Sequence, residues 1–549
     1  MTWKIEAFKR SEDRPTPKEV YNWRVYYSSV FAAAAGAVIG YDNGFVGGTV
    51  ALDSFRHEFG LDKMSTTQAN LVSANVTSLF QAGCFFGALF IYPFGQKYGA
   101  RRGLMVSALL FNIGSALCLV PNHSRGIGAM YAARVIVGFA VGATSNLGPI
   151  YISEIAPPGI RGQLLAMYDV FWQVGGLVGF WINYAVAETL SPSTKQWHIP
   201  FAVQLIPGGC LFIGTFFMRD SPRWLLADGQ MEKGIQTLRW FRRLDESDEY
   251  FRTELAQIEE AIESRAGAIG LGFWAPMKAV AGNKRTLKRI LFSTSLFIWQ
   301  NSSGINAVNY YSTTIFKSIG VQGTNASLLT TGVFGVIKTV SVMLWLTFLV
   351  ESWGRRSTLL VGSTGVSLCM FYIGAYVKIA NPSAHPSSSM DNGGRSAMAM
   401  FYIWTAFYSA SWNWTPWVIN AEIFDIHIRA FVQAVNAAAN WFWSFIMVRF
   451  TPQIFASMGY GAYIMFGALS TVGFLYVFLL VPETKGIPLE LVDHLFTKGV
   501  PAWRAHDYVL NKEKEINAEL TVLEEEKAEV SNVEDTTDAA RATDNAGTL

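Results

Sequence analysis

Three ionisable side chains stand inside long apolar stretches, and their types set the chemistry available. Asp42 lies in Gly36–Thr49 (GAVIGYDNGFVGGT), within an apolar run from near Val25 to near Val50. Arg134 lies in YAARVIVGFAVG and Lys338 in TTGVFGVIKTVSVMLWLTFLVE. A charge at bilayer depth costs at least ~2–3 kcal/mol, so each of the three calls for a partner or a water-filled cavity. About eight residues, roughly 12 Å, separate Asp42 from the end of its span, too far for so short a side chain to reach the interface. Arg134 sits about seven residues, roughly 11 Å, into its own span, so the two reach a similar depth from one side and can meet. A carboxylate beside a guanidinium stays ionised, and separating the pair favours its protonation. Such a pair suits proton uptake and release; a static brace is the competing use. Lys338, about eleven residues into its span and near the midplane, should face a central cavity. There it would meet an anionic ligand or an acid on a neighbouring helix.

Neutral polar groups recur at depth. Gln173 and Gln300 each lie about ten residues into a span, near 15 Å from one edge. Amides offer donors and acceptors together, which suits a polyhydroxylated ring, although they also serve as interhelical hydrogen-bond groups. Trp417 and Trp441 have flat apolar faces that fit C–H surfaces, but tryptophans near span ends are also interface anchors. No phosphate-cradling glycine loop, metal-ligand cluster or nucleophile–base pattern occurs, so no catalytic residue, metal or cofactor is expected. His427, in a short polar segment between Glu422 and Arg429, reads as an interfacial residue.

The elements that must hold these groups are membrane spans. The 549 residues are 51% hydrophobic and only 15% charged, where soluble domains carry about a quarter. Apolar windows fall at about 25–50, 69–93, 103–120, 127–152, 163–186 and 199–217, and again at about 290–316, 326–350, 357–380, 397–423, 430–450 and 460–481. A polar segment from Arg219 to Arg289 separates the two sets. The expected order is a segment 1–24, a six-helix bundle 25–218, a helical linker 219–289, a second bundle 290–482 and a tail 483–549. From Trp503 onward the net charge is −7, against +9 for the rest. The tail from about Lys512 should be disordered, with one short helix near Leu520–Lys527. The four cysteines fall within spans, which implies no disulfide framework. The first twenty residues lack the apolar core of a cleavable signal, so the first span should direct its own insertion.

Lys and Arg cluster at alternate span ends, as at Arg101, Arg102, Arg161, Arg355, Arg356 and Arg429. By the positive-inside rule both termini and the linker are cytoplasmic. The sequons at Asn122 and Asn325 then fall in outside loops. The charge pattern repeats between halves: GALFIYPFGQKYGARR (Gly87–Arg102) against VESWGRR (Val350–Arg356), and Glu154/Arg161 against Glu422/Arg429, each acid seven residues before its arginine. The repeat predicts two homologous bundles facing each other. Ion pairs between the acids and arginines across the inner face would then hold the halves together when that side is shut.

Gly40-Tyr41-Asp42, the arginine pairs 101–102 and 355–356, Arg134, the Pro149–Arg161 segment, DSPRWL (220–225), Gln300 with Gly304-Ile305-Asn306, and PETKG (482–486) together resemble the sugar-porter family of the major facilitator superfamily. The likeness covers the chain except its tail. Asp13–Tyr26 and Trp299–Asn306 resemble the fungal quinate permeases within that family. The resemblance implies an all-α membrane protein, with twelve transmembrane helices in two homologous six-helix bundles and a cytoplasmic helical insert. It also implies a plasma-membrane transporter that needs no cofactor and takes a small-molecule substrate and a proton as partners. By the same resemblance Asp42 and Arg134 are the proton-coupling pair. Gln173, Gln300, Asn301, Asn306, Trp417 and Asn440 line the substrate site. Arg101, Arg102, Glu154, Arg161, Glu351, Arg355, Arg356, Glu422 and Arg429 are the cytoplasmic gate charges. Neutral-sugar members carry asparagine at or beside the position of Lys338, so a cation there suits quinate, a polyhydroxy ring with a carboxylate. Proton-coupled or facilitated transport of neutral hexoses is the alternative, and a nutrient sensor on the same bundle a third. Two departures stand out. Gln96 replaces the family's loop acid, and Asn413-Trp414 replaces a Gly-Pro pair that would break the tenth span.

Overall fold

The computed structural model describes residues 15–270, 274–349, 353–382, 390–497 and 499–515, and these are helical or loop throughout. Glu351 and the stretch Leu520–Lys527 lie outside the described residues. Twelve long helices, named α1 to α12, cross the body of the molecule. In the first half they are α1 (Trp23–Ala51), α2 (Thr66–Tyr98), α3 (Ala100–Leu117), α4 (Gly128–Ile155), α5 (Arg161–Thr189) and α6, made of Thr194–Val203 and Leu205–Phe217. In the second they are α7 (Lys284–Ser302 and Ile305–Ile319), α8 (Thr324–Leu344), α9 (Arg355–Ala380), α10 (Asn392–Ser409 and Thr415–Glu422), α11 (Ile426–Met458) and α12 (Gly461–Leu480).

Local sequence accounts for the ends. The side chains of Asn22 and Ser65 accept the backbone N–H of Arg24 and Gln68, which caps α1 and α2. Among the described residues eight helices are long and apolar enough to cross a membrane on length and composition alone. The two broken helices α7 and α10 are not among the eight, and both contribute to the site. At the α7 break Gly304 takes φ +91°, a conformation costly for any residue with a Cβ. In α10 the helix stops at Ser409 and resumes at Thr415 with Pro416 in its first turn. The break therefore exists without the Gly-Pro pair: residues 410–414 turn, and Pro416 restarts the helix.

Each half has its own apolar core, one built on α1–α6 and one on α7–α12. A third, smaller cluster joins Val20 to Leu226, Leu238, Phe251 and Ile258 of the polar insert. The insert is anchored by a buried ion pair. Arg242 donates to both carboxylate oxygens of Glu254 at 2.7 Å and to the Ile155 carbonyl, at the end of α4, at 2.9 Å. Residues 502–515 form a helix against the second core, with Ala505 and Val509 buried in it.

Candidate functional site

Backbone contact between α1 and α5 sets the first side chains in place. A Cβ on Gly40 would fall 1.9 Å from the Trp172 carbonyl oxygen, and one on Gly44 would fall 2.3 Å from that of Gly176. Only glycine lets these helices touch, and the contact turns Asp42 to one side of α1 and Asn43 to another. Asp42 meets α4: Arg134 Nη1 and Nη2 each donate to one carboxylate oxygen at 2.8 Å. Both side chains are 0% exposed. Arg134 Nε donates to the Val76 carbonyl of α2 at 3.1 Å, and its guanidinium lies 4.6 Å from the centre of the Phe80 ring. All of these groups are thereby used, as burial of a charge pair requires.

Asn43 faces a central cavity of about 80 Å³ between the halves. Its walls include Gln173, Gln300, Asn301, Asn306, Lys338, Trp417 and Asn440, so every substrate-site residue expected from the sequence reaches one space. Asn43, Trp172, Asn309, Tyr408, Asn413, Trp414, Trp441 and Ser444 join them. Of these, only Trp441 was marked by the sequence as a ring contact; Asn413 and Trp414 stood out only as replacing a Gly-Pro pair. Asn309 follows Asn306 by one helical turn, a signal that was available; Asn413 and Trp414 sit in the α10 turn, where helical periodicity gives no guide.

The amides are ordered by one another. Asn301 Nδ2 donates to Asn440 Oδ1 at 3.1 Å, and Ser444 Oγ donates to Asn301 Oδ1 at 2.8 Å. Asn306 Nδ2 donates to Asn301 Oδ1 and, at 3.0 Å, to Ser444 Oγ. Gln300 Nε2 donates to the carbonyls of Trp412 at 2.8 Å and Asn413 at 3.0 Å. Those carbonyls are ones the α10 break leaves without a helical partner. Gln300 Oε1, Asn413 Nδ2 and Trp414 Nε1 remain buried without a protein partner. All three residues line the cavity, and amide and indole groups of this kind can exchange hydrogen bonds with a hydroxylated ring.

Lys338 stands among these amides. Its Nζ lies 3.5 Å from Asn309 Oδ1, and among the described residues no carboxylate comes within 4 Å of it. The acid on a neighbouring helix that would have explained Lys338 structurally is not in contact. One acid passed over in the sequence is Asp169, half-buried on α5 one turn from Gln173. Its signal was the same as that of Asp42, an acid inside an apolar span.

The gate charges are arranged differently from expectation. Arg355 pairs with Glu422 at 2.6 Å within the second half, and Arg101 with Asp220, at the start of the insert, at 3.6 Å; neither pair bridges the halves. The reason is local. Glu483, of the PETKG segment, accepts the N–H groups of Arg355 and Arg356 and so orients Arg355 back toward Glu422 of its own half. Arg356 donates to the Phe478 carbonyl and Arg429 to that of Phe424, while Arg102 lies 5.9 Å from the Trp224 ring. Glu154 shares a small pocket with Gln96 and Trp224. Neither Glu154 nor Arg161 has an oppositely charged partner within 4 Å among the described residues. On this face Tyr92 of the first half packs edge-on against Phe431 of the second, and the insert touches both halves, Arg265 donating to Gln96 and Ser264 lying 3.5 Å from His427. Beyond the cavity, on the opposite face, the Tyr310 hydroxyl donates to Asn43 Oδ1, and the Tyr311 hydroxyl lies 2.9 Å from Thr77 Oγ1.

Residues 28–496 match the family model described as sugar (and other) transporter. The chain belongs to that family. A probable quinate permease of Aspergillus niger is 53% identical over 529 residues, covering 96% of this chain and 98% of its own. A quinate permease of Emericella nidulans is 54% identical over 505 residues, covering 92% and 94%. Among solved structures, the proton:xylose symporter XylE bound to 6-bromo-6-deoxy-D-glucose superposes with a TM-score of 0.70 at 25% identity, covering 86% of this chain and 99% of that one. With the twelve helices described above, these likenesses make the chain a multi-pass membrane transporter with the major facilitator fold, not an enzyme.

Proposed function

We propose that this transporter carries quinate, or a closely similar polyhydroxy carboxylate, together with a proton by alternating access. The observation that carries the reading is Lys338, a cation in the central cavity with no carboxylate beside it among the described residues. A bound carboxylate would supply the missing charge, while Gln173, Gln300, Asn301, Asn306 and Asn440 take the ring hydroxyls and Trp417 packs on a C–H face. Relatives that bear the name quinate permease support the same substrate. The likeness to a proton:xylose symporter supports the coupling ion.

In the mechanism, Asp42 accepts a proton from the face opposite the insert and Arg134 loses its anionic partner. The freed guanidinium shifts against Phe80, and the halves rock about the loaded cavity. The distribution of Lys and Arg supports an insert and termini on the cytoplasmic side of the plasma membrane. There, Arg101, Arg102, Glu154, Arg161, Glu351, Arg355, Arg356, Glu422 and Arg429 act as the gate charges, with Arg355 and Glu422 paired within the second half. Transport of neutral hexoses is the second reading, favoured by the sugar analogue bound to the structural relative.

The deciding experiment is uptake of radiolabelled quinate and glucose, in competition, by a transporter-null cell expressing the chain, across pH and with a protonophore. Quinate uptake should be driven by an acid exterior, collapse with the protonophore and disappear in Lys338→Met and Lys338→Asn. Quinate uptake unchanged in those variants would sink the assignment.

A further inference from the structure

A second and larger cavity, of about 580 Å³, lies beyond Tyr310 and Tyr311 on the face opposite the insert. Its charged lining residues are Arg56, from the short helix Asp53–Glu58 of the first half, and Lys378, from the last turn of α9 in the second. No Asp or Glu is among the residues that line it. Neither cation is in an ion pair among the described residues; Lys378 Nζ lies 5.4 Å from the Tyr460 ring centre. Arg56 also lines a second hollow, which holds Asp53, Glu58 and Asp62, but none of these acids is within ion-pair distance of it. Glu58 is engaged there by the His123 backbone N–H at 2.9 Å and by Thr194 Oγ1 at 3.2 Å.

A basic residue in the last turn of a helix complements the helix dipole, which accounts for the residue type at either position. It does not account for two unpaired cations, one from each half, on a cavity whose lining holds no acid. A concave site lined by one sign of charge raises the local concentration of counter-ions and the rate at which they arrive. The floor of this cavity is also the roof of the central one: Tyr310 lines the outer cavity while its hydroxyl bonds to Asn43 of the inner.

The geometry points to an outer anion site, in which Arg56 and Lys378 hold the carboxylate of an incoming substrate before the tyrosines yield it to Lys338. This deepens the assignment of an anionic substrate and rests on it. Binding occurs in two stages, each with its own cation, and the outer stage is the one solvent ions screen.

The test is quinate uptake by the full chain in proteoliposomes, at external ionic strengths from about 20 to about 300 mM, where the screening length falls from roughly 20 Å to roughly 6 Å. The wild-type KM for quinate should rise with salt. Arg56→Gln with Lys378→Gln should raise KM at low salt on the order of tenfold and remove the salt slope, in the range that electrostatic focusing spans. Lys378→Arg, which keeps the charge, should retain both. A double variant with the wild-type KM and slope overturns the proposal, and so does a Lys378→Arg variant that loses the slope, which would assign the effect to packing. In either case quinate uptake that still depends on Lys338 leaves the central assignment standing. A wild-type chain that takes up glucose but no quinate removes that assignment itself.

Discussion

The Phe80 ring lies between Arg134 and Trp441: the guanidinium is 4.6 Å from its centre, and the indole, on the cavity wall, packs edge-on at 6.0 Å. One aromatic side chain thus joins the buried ion pair of the first half to the substrate cavity and to α11 of the second. A desolvated cation–π contact contributes ~2 kcal/mol, enough to bias where the guanidinium rests when Asp42 is protonated. Phe80→Leu keeps bulk and removes the quadrupole. It should slow proton-driven uptake by roughly thirtyfold, the factor that such an energy corresponds to, with a smaller change in substrate affinity. Parallel measurement of the maximal uptake rate and of equilibrium binding checks this; equal losses in both would assign Phe80 to packing alone.

Breaking the pair itself should show in stability before transport. Removing one member of a buried, hydrogen-bonded ion pair costs ~3–5 kcal/mol because the other is stranded, and removing both costs less. Arg134→Gln should therefore melt well below wild type in detergent, and Asp42→Asn with Arg134→Gln should recover part of the loss. Asp42→Asn should also abolish accumulation against a gradient while allowing exchange of substrate across the membrane. Acid-stimulated accumulation that survives in Asp42→Asn would remove the coupling model.

Gln300 closes the α10 break with two hydrogen bonds to carbonyls. Each buried acceptor left unsatisfied costs ~1–3 kcal/mol. Gln300→Ala should lower the melting temperature by several degrees and eliminate uptake. Gln300→Glu loses the donors but keeps the shape, and should be as unstable; a Gln300→Glu protein as stable as wild type would show that these bonds do not hold the turn.

Gln96 lies near the insert-side end of α2, and its side-chain oxygen accepts from Arg265 of the insert at 3.3 Å. Gln96→Glu turns this exposed contact into an ion pair worth ~0.2–1 kcal/mol. That energy should favour the state with the insert-side face shut and reduce turnover by about 1.4- to fivefold, the ratio it sets at RT ≈ 0.6 kcal/mol. High salt should reverse the effect, which uptake rates at low and high ionic strength would reveal.

Arg242 and Glu254 are buried with all their charge-assisted bonds directed inward. Arg242→Met should detach the insert from the end of α4, expose it to limited proteolysis and lower stability by ~3–5 kcal/mol. Arg242→Met with Glu254→Met should resist protease better than the single variant.

Much of the fold was legible because a bilayer imposes a one-dimensional rule: each crossing needs about 20 apolar residues, and charge at the ends distinguishes the faces. The positions of α7 and α10 were visible on that basis, but their interruptions were harder to place. The turn at 410–414 depends on Gln300, a residue more than a hundred positions away. The expected ion pairs between halves failed for a related reason. Glu422 and Arg429 have a fixed spacing along the chain, but Glu483, from beyond the last span, turns Arg355 toward Glu422 instead.

What the sequence by itself determined was depth and type: an acid, a guanidinium, an ammonium and a set of amides, each a known helical rise from a membrane face. Depth follows from 1.5 Å per residue and needs no neighbour. Only the tertiary structure decided direction. The turn of each helix about its axis comes from packing, as where Gly40 and Gly44 let α1 lie against α5. That contact sends Asp42 to Arg134 and Asn43 to the cavity, two adjacent residues with different partners.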